Sequence, residues 1–527
     1  MKIPMNPRPQ RAGLQSRHFQ QHHPVAAEVR HNLKRPVRVM KFGGTSVGDA
    51  SCIAGVVEII RAASLECHVV VVVSAMSGVT NKLVEAATQS EAGRHAPAAS
   101  ILEGIRVQHE RAIDALIHSA AERARIDCKM KALFEEGARL CKGTSLLREL
   151  TLRSRDAILG LGERLSAPLV AAALAERGVA SEAIEATELV VTDSCHGGAD
   201  PFMDHTRERC QARLRPLLDQ DVVPVVTGFI GATPEGVPTT LGRGGSDYSA
   251  TILAAALQAD EAIIWTDVDG LQTADPRLVD DGCTIPEISY REASELAYFG
   301  ARVLHPKTIR AVMQCGIPLW IRNTFAPEQP GTKITPAGYP GAGAVKALTA
   351  MSDVVLINVG GPGMVEVPDV LGRTFRTTAA VRADVLLISQ SSSQNDLCLV
   401  IPSAFAKCTV EALRHEFAHE LAHEKTEHIT VDPTVAIVAV VGQHLRGIAG
   451  VVGRTFSALD RASVNLVAIA QGATDCTLSF VVAKEDMKAA LISIHNEFQL
   501  GNASNRKMPE HATEYPYPSL PATNSAD

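Results

Sequence analysis

The stretch "PVRVMKFGGTSVGD" (residues 36–49) joins a short β-rich run to a compact polar turn, and it decides which fold we predict. Glycine backbone presents N–H groups to an anion, and the start of a helix adds its positive dipole end. Lys41 is suited to placing a positive charge on a transferring phosphoryl group. A tight strand-to-helix turn with an exposed lysine explains the same residues, so this stretch alone leaves both interpretations open.

The composition of the chain excludes several classes of protein. Its 527 residues predict two or three domains. The net charge of -7, with only 2 Trp and 6 Tyr, argues against a nucleic-acid partner. Solid apolar runs such as "VVVVV" (residues 69–73) are far shorter than a membrane-spanning segment, so no membrane is expected. The 11 cysteines include no CxxC pair, which favours reduced thiols and a cytoplasmic location.

Both ends of the chain differ from its middle. Residues 1–35 carry seven Lys or Arg against one acidic residue, Glu28, and we expect a disordered basic extension. An organelle transit peptide and a misassigned start codon are the alternatives. Residues 498–527 are rich in Pro, Asn, Ser and Thr, and they are predicted to be a disordered tail.

Strand and helix patterns alternate from Val37 onward. Near-continuous valine runs are typical of strands that are buried on both faces of a parallel sheet. The chain is therefore predicted to have α/β architecture, with loops collected at one edge of the sheet. The strand-like runs are "VRVM", "CHVVVVVSA", "ELVVTD", "DVVPVVTGFIG", "EAIIWTDVDG" and "GIPLWIRN".

A Pro- and Gly-rich stretch divides the chain. We predict a catalytic domain at residues 36–326 and a linker at residues 327–346. A weak repeat follows, in which "GRTF" occurs at residues 372–375 and again at residues 453–456. Two copies of a βαββ unit are therefore expected. Their predicted bounds are residues 347–430 and 431–497.

Two further loops follow predicted strands. In "TTLGRGGSDYSA" (residues 239–250), Ser246 or Asp247 is suited to capping a helix, and Arg243 offers a planar fork for a carboxylate. A structural turn explains the glycines, but it explains the arginine among them less well. Two such loops after buried strands of one sheet would meet in one crevice.

The loop in "WTDVDGLQTADPRLV" (residues 265–279) carries three aspartates and Arg277. It lacks the glycine at position six and the closing glutamate of a calcium loop. Contacts with an adenine or a ribose fit these residues better. Solvated loop charges are the alternative.

Together with "ELAYFGARVLHPKTI" (residues 295–309), these loops resemble the aspartokinases, a branch of the amino-acid kinase family. The likeness covers about residues 37–490, with four long motifs in order and in register. It implies an αβα sandwich with a mainly parallel central sheet, followed by two ACT domains of the βαββ type.

The resemblance also implies a reaction. Mg-ATP would phosphorylate the side-chain carboxylate of L-aspartate, giving 4-phospho-L-aspartate and ADP, the first step of lysine, threonine and methionine biosynthesis. Mg²⁺ would be carried by ATP rather than by protein ligands. A carboxylate needs no general base, so such an enzyme must mainly align two anions and offset their charge.

Site residues are implied only where this sequence matches the family motifs. Catalytic roles fall on Lys41, Arg243 and Asp247, and aspartate contacts fall on Ser74, Thr80, Glu163 and Arg243. ATP contacts fall on Lys41, Gly43, Gly44, Thr45, Ser46, Thr266, Asp267, Gln272, Arg277 and Arg302. The family often has tyrosine at Gln272 and usually lysine at Arg302, so we expect activity with altered ATP affinity.

The repeat suggests feedback control. Gln390 and Gln471 occupy equivalent places, in segments that resemble the threonine-inhibited type more than the lysine-sensing type. Threonine is thus the favoured effector and lysine the alternative. The other explanation is that both glutamines satisfy buried backbone groups. ACT pairing between chains implies a homodimer or homotetramer.

Two rival functions remain from the sequence. One is another carboxylate or carbamate kinase, such as an acetylglutamate kinase, which the ACT repeat and "FGARVLHP" disfavour. The other is a catalytically silent amino-acid sensor. The presence of Lys41, Glu163, Arg243 and Asp247 disfavours a sensor.

Overall fold

The computed structural model describes residues 35–300, 304–339, 343–360, 367–390, 396–422, 428–470 and 475–501. The chain divides into two units, residues 1–35 and residues 36–527, and the second holds all the elements below. Arg302, Gln471, nearly all of the predicted extension and most of the predicted tail lie outside the described residues.

The first part of the second unit contains ten strands and ten α-helices within the described residues. The strands are β1 (Val37–Phe42), β2 (His68–Val73), β3 (Ser181–Ile184), β4 (Val223–Thr227), β5 (Ile230–Ala232), β6 (Pro238–Thr240), β7 (Glu261–Thr266), β8 (Glu287–Ser289), β9 (Leu319–Asn323) and β10 (Thr332–Thr335). The helices are α1 (Ala50–Glu66), α2 (Val79–Glu91), α3 (His95–Leu116), α4 (Ala120–Leu147), α5 (Leu152–Leu159), α6 (Leu161–Glu176), α7 (Met203–Leu218), α8 (Gly245–Leu257), α9 (Tyr290–Tyr298) and α10 (Pro306–Met313).

An eight-stranded sheet forms the centre of this part. Its order is β3-β4-β2-β1-β7-β9-β10-β8, and β5 pairs with β6 in a separate two-stranded sheet. All neighbours in the large sheet are parallel except β9 and β10, which are antiparallel. The predicted mainly parallel sheet is confirmed.

Side chains alternate along the central strands between two separate cores. In β1, Met40 and Phe42 enter the core beneath α1–α6, whereas Val37 and Val39 enter the core beneath α7–α10. The valines of β2 divide in the same way. Because successive strand residues point to opposite faces, an unbroken valine run fills both cores at once. The αβα sandwich is therefore confirmed.

One helical stretch passes a length and hydropathy test for crossing a membrane. Residues 152–176, spanning α5 and α6, have a mean hydropathy of 1.4 in the most apolar window. In this structure 89% of that window is buried inside the protein. The stretch is therefore accounted for as core, because α6 lies under the sheet with Leu169 and Val170 fully buried.

The second part consists of two four-stranded antiparallel sheets with helices. The strands are β11 (Val345–Met351), β12 (Val354–Gly360), β13 (Leu387–Gln390), β14 (Asp396–Pro402), β15 (His428–Asp432), β16 (Val435–Gly442), β17 (Leu466–Ala470) and β18 (Thr477–Ala483). The helices are α11 (Val367–Ala380), α12 (Ala406–Glu416), α13 (Ala418–Ala422), α14 (Val451–Arg461) and α15 (Met487–Glu497).

One strand, β11, belongs to a different sheet from the strands that follow it in the sequence. One sheet is ordered β13-β14-β12-β15 and the other β11-β16-β18-β17. Strand β11 therefore precedes the first sheet in sequence but pairs with β16 of the second. Residues 347–351, which we predicted in the first ACT domain, lie in the sheet of the second.

The stretch predicted as a linker, residues 327–346, also needs correction. It contributes β10 to the large sheet and the first residues of β11 to the second ACT sheet. Gly331 and Gly338 lie in turns of this stretch, with φ values of 74° and 64° that favour glycine. Pro and Gly content marked these turns correctly but did not reveal the short strands between them.

Candidate active site

A cavity of about 530 Å³ opens at the carboxyl-terminal ends of the central parallel strands. Loops that follow β1, β2, β4 and β7 line it together with the start of α8, as expected for a parallel α/β sheet. The lining residues are Lys41, Gly43, Gly44, Thr45, Ser74, Ala75, Met76, Ser77, Gly78, Thr80, Glu163, Phe229, Gly242, Arg243, Gly244, Gly245, Ser246, Asp247 and Thr266.

The glycine pair after β1 lies close to neighbouring backbone. The Gly43 N–H donates to the Trp265 carbonyl at 3.1 Å, which joins the loop to the end of β7. A Cβ at Gly44 would lie 3.0 Å from the Ala75 carbonyl oxygen, so a side chain there would crowd the loop after β2. Backbone thus faces the cavity where a phosphate-binding loop would need it.

Ser46, predicted to contact ATP, has a different place. It is fully buried, and its Oγ lies 2.7 Å from Thr324 Oγ1 on the segment after β9. Ser46 does not line the cavity. Its hydrogen bond holds the loop after β1 to the segment after β9.

Lys41 and Asp247 form an ion pair inside the cavity. Lys41 Nζ lies 2.5 Å from Asp247 Oδ1, with side-chain exposures of only 9% and 14%. Asp247 lies in the first turn of α8, where a negative charge is favoured by the helix dipole. The pair joins the end of β1 to the start of α8 across the mouth of the sheet.

The start of α8 differs from the prediction in one detail. Gly244 is the N-cap residue, with a φ of 67° and no side-chain cap, so neither Ser246 nor Asp247 has that role. A Cβ at Gly245 would lie 2.6 Å from the Phe229 ring. The glycines therefore serve backbone conformation and close packing, and they leave the helix N-terminus open toward the cavity.

Arg243 extends from this glycine loop as an exposed side chain. Within the described part of the chain it forms no ion pair, although it lines the cavity. A guanidinium in this position can accept a carboxylate in a two-pronged contact.

Glu163 is a buried carboxyl in the first turn of α6. Its Oε1 accepts a hydrogen bond from the Ala75 N–H at 3.2 Å, while Oε2 has no partner among the described residues. Burial raises the pKa of Glu163 to about 8, against a smaller opposing effect of the Ala75 bond. A Cβ at Gly162 would lie 2.7 Å from Ala75 Cβ, so glycine permits this close approach. Such a carboxyl is suited to an incoming cation.

The other predicted nucleotide contacts lie beside the cavity rather than in it. Asp267 accepts a hydrogen bond from Thr266 Oγ1 at 3.2 Å. Gln272 Nε2 donates to Thr284 Oγ1 at 2.9 Å. Arg277 pairs with Asp275 at 2.6 Å and is 66% exposed. All three belong to the loop between β7 and β8.

Asp156 is a residue that sequence analysis missed. It is buried in α5, and it accepts hydrogen bonds from Thr240 Oγ1 at 2.6 Å and from the Gly197 N–H at 3.0 Å. His196 Nδ1 lies 2.9 Å from the same carboxylate. These bonds fix the strand that leads into the Arg243 loop. Asp156 follows Arg153, Ser154 and Arg155 in a polar stretch, so the sequence held no signal that set it apart.

The described residues contain no group of three or more His, Cys, Asp or Glu side chains that could hold a metal ion.

Gln390, the described member of the predicted effector pair, is the last residue of β13. Its side chain is exposed, and it lies opposite Leu397 of β14.

Family models match both parts of the chain. Residues 36–323 match the model of the amino acid kinase family. Residues 357–417 and 438–498 match an ACT domain model.

Curated relatives agree with these matches. The chain is 34% identical over 475 residues to the chloroplastic bifunctional aspartokinase/homoserine dehydrogenase 1 of Arabidopsis thaliana, covering 88% of this chain and 51% of that protein. The chloroplastic aspartokinase 1 of Arabidopsis thaliana is 30% identical over 468 residues, covering 87% of this chain and 80% of that protein. The chain thus spans about half the length of the bifunctional relatives that it matches.

Solved structures show the same architecture. E. coli aspartokinase III in complex with aspartate and ADP superimposes with a TM-score of 0.74 at 29% identity, covering 88% of this chain and 99% of that chain. The same enzyme in complex with lysine and aspartate gives a TM-score of 0.71. These matches confirm the resemblance predicted from the motifs.

The raised pKa of Glu163 predicts a pH-dependent stability. Between about pH 4.5 and pH 8, the folded protein retains a proton that an unfolded Glu163 releases, so rising pH favours unfolding. Relative to Glu163→Gln, the wild-type free energy of unfolding should fall by up to about 1.4 kcal/mol per pH unit across this window. Urea denaturation of both proteins at several pH values measures the difference. A difference in the free energy of unfolding that does not change with pH would contradict the raised pKa of Glu163. Glu91→Gln, at the exposed end of α2, is the control.

Proposed function

The chain belongs to the amino acid kinase family, in its aspartokinase branch with paired ACT domains, and we propose that it phosphorylates the side-chain carboxylate of L-aspartate with ATP. One observation carries this proposal. A single cavity holds the glycine loop, the Lys41–Asp247 pair, Glu163 and Arg243. These groups suit a phosphoryl donor and a zwitterionic acceptor placed side by side.

The proposed chemistry requires alignment and charge neutralisation. A side-chain carboxylate oxygen of aspartate attacks the γ-phosphorus, a new O–P bond forms, and the bond to the β-phosphate oxygen breaks to release ADP. Lys41 offsets charge on the transferring group, and the N-terminus of α8 adds its dipole. No proton has to be removed from a carboxylate nucleophile, so the proposed reaction requires no general base.

Recognition of aspartate would use two charged groups of the cavity, Arg243 and Glu163. Arg243 would bind the α-carboxylate, and Glu163 would accept the ammonium group with its unpartnered Oε2. Binding of an ammonium favours the charged carboxylate and so reverses the effect of burial. Ser74 and Thr80, which line the same wall, would complete the contacts.

ATP would lie toward the β7 edge of the cavity. Gly43, Gly44 and Thr45 would contact its phosphates, with Thr266 close to them. Asp267, Gln272, Arg277 and Arg302 are proposed as further nucleotide contacts, with Gln272 replacing a ring that the family often supplies. Mg²⁺ would arrive on the ATP phosphates, where it offsets their charge when bound.

Regulation is proposed to act through the ACT domains. The E. coli aspartokinase III structure with lysine and aspartate is described as a T-state. For this chain we favour threonine over lysine, with Gln390 and Gln471 as contacts. We propose a cytoplasmic homodimer or homotetramer, joined through the ACT domains, at the first step of lysine, threonine and methionine biosynthesis. An effector that binds an inactive arrangement more tightly would shift the population toward it.

Replacement of Lys41 tests the proposed chemistry. Lys41→Met should lower kcat by about 10³-fold, because it removes a preorganised charge from the transferring phosphoryl group. Aspartyl hydroxamate formed from Mg-ATP and L-aspartate, in the presence of hydroxylamine, measures the rate. Lys82→Met is the matched control, since Lys82 bonds Gln108 Oε1 at 2.9 Å outside this cavity. Equal activity of the two variants, or no activity in folded wild-type protein, would contradict the proposal.

Effector choice is tested with the same assay. Threonine should inhibit the wild-type protein, and Gln390→Ala should raise its half-inhibitory concentration about tenfold through loss of a hydrogen-bonding contact. Lys407 is exposed on α12, in the same ACT domain as Gln390, and Lys407→Ala should leave inhibition by threonine unchanged. Inhibition by lysine alone, or an unchanged response of Gln390→Ala to threonine, would contradict the assignment.

A further inference from the structure

The loop between β7 and β8 (residues 267–286, here the nucleotide loop) is built into the core of the second ACT sheet. Ala274 and Val279 are each 2% exposed, and they share a core cluster with Val438 of β16 and with Leu491 and Ile494 of α15. The loop that carries several proposed nucleotide contacts thus takes the packing of its middle from the regulatory part of the chain, while its two ends pack in the core beneath α7–α10. A loop that only covered the surface would not bury two apolar side chains in the core of another domain.

A polar contact lies at the centre of this packing. Thr273 Oγ1 lies 3.0 Å from His495 Nε2 of α15, and both residues are almost fully buried. Thr273 Oγ1 also accepts from the Cys283 N–H at 3.0 Å, which closes the loop on itself. His495 Nδ1 lies 3.2 Å from Asp281 Oδ1 of the same loop. One imidazole therefore contacts both arms of the nucleotide loop.

Hydrogen-bonding capacities fit one tautomer of this histidine. The Thr273 hydroxyl donates to Nε2 while it accepts from Cys283, and the Nδ1 proton then faces the Asp281 carboxylate. The arrangement satisfies the buried hydroxyl and directs the ring from both sides. Loss of the ring would leave the hydroxyl buried without its acceptor.

Backbone contacts join the same arm of the loop to β11. The Leu348 N–H donates to the Thr273 carbonyl at 2.7 Å. Strand β11 is itself held to the catalytic part by Lys346, whose Nζ lies 3.1 Å from Glu292 Oε2 of α9 with both side chains at most 1% exposed. Thr273 is thus bonded to a strand that is itself joined to the catalytic part, and His495 provides the contact from α15.

Next to Thr273 lies Gln272, one of the proposed nucleotide contacts. Gln272 bonds Thr284 across the loop, so the position of its side chain depends on the same two arms that His495 contacts. Displacement of either arm would move Gln272 and the exposed Arg277 beyond it. On the aspartate side of the cavity, Glu163 instead accepts its hydrogen bond from the Ala75 N–H of the loop after β2.

We propose that His495 is a positioning residue for the nucleotide: the second ACT domain, through the His495–Thr273 contact, holds the nucleotide loop in its ATP-binding position. This inference rests on the proposed function, because it takes the loop to contact ATP. The regulatory part thereby completes the nucleotide side of the catalytic site, while the aspartate side is built from the catalytic part alone.

The test compares four single variants and one double variant in the full chain. Thr273→Val removes the hydroxyl at nearly constant volume, and His495→Ala removes the ring. His495→Gln keeps an amide acceptor near the place of Nε2. Ser493→Ala is the matched control on the same helix, since it removes a hydrogen bond from Ser493 Oγ to the Ala458 carbonyl, 2.6 Å long and internal to the ACT domain.

Calorimetric titration with ADP and steady-state kinetics provide the measurements. His495→Ala and Thr273→Val should each raise the Kd of ADP and the KM of ATP by about five- to tenfold, with the KM of aspartate changed less than about twofold. His495→Gln should retain most of the affinity, and Ser493→Ala all of it. The double variant Thr273→Val/His495→Ala should lose no more than one single variant, because both remove the same contact.

Several results would overturn the inference. Unchanged ADP affinity in folded Thr273→Val, an equal loss in Ser493→Ala, or a parallel rise in the KM of aspartate would each show that the contact is merely structural. If His495→Ala does not fold, the nearly isosteric Thr273→Val still decides. Wild-type protein that binds ADP but forms no aspartyl hydroxamate would defeat the proposed function while the ADP titrations still test the inference. Wild-type protein that fails to bind ADP would defeat both.

Discussion

Strand β1 is bonded to a parallel strand on each side, and the whole site depends on where those three strands end. Phe42 of β1 is level with Val73 of β2 and with Trp265 of β7. The loops that follow therefore leave the sheet at one height and face one another. This register brings Lys41 to the start of α8, although about 200 residues of chain separate it from Asp247, and their ion pair closes the contact.

The charged side chains around the cavity are not all paired with one another. Lys41 and Asp247 offset each other, whereas Glu163 is buried with one oxygen unpartnered and Arg243 is exposed without an ion pair among the described residues. Burial of a carboxyl without a cation costs stability. A zwitterionic amino acid, bound between Glu163 and Arg243, would supply both missing charges. This charge distribution supports the proposal of a ligand that carries its own opposite charges.

Local patterns in the sequence predicted the sheet and the loops at its edge. Valine runs indicated strands buried on both faces, and glycines beside Lys41 and Arg243 indicated where the backbone must turn or pack closely. Contacts between distant segments left no periodic signal. Three such contacts depend on tertiary packing between segments that lie tens to hundreds of residues apart. They join Ser46 to Thr324, Asp156 to Thr240 and Thr273 to His495. For the same reason the pairing of β11 with β16 was not predicted, because it joins strands that are far apart in the chain.

The most direct test of the account is to identify the bond that the protein makes. Wild-type protein would be incubated with Mg-ATP and with L-aspartate carrying ¹⁸O in its side-chain carboxylate, and the product would be followed by ³¹P NMR. The account predicts an acyl phosphate resonance that is displaced by ¹⁸O in the bridging position, because the carboxylate oxygen attacks the γ-phosphorus. Release of inorganic phosphate alone, or a phosphorylated product without the isotope displacement, would contradict it.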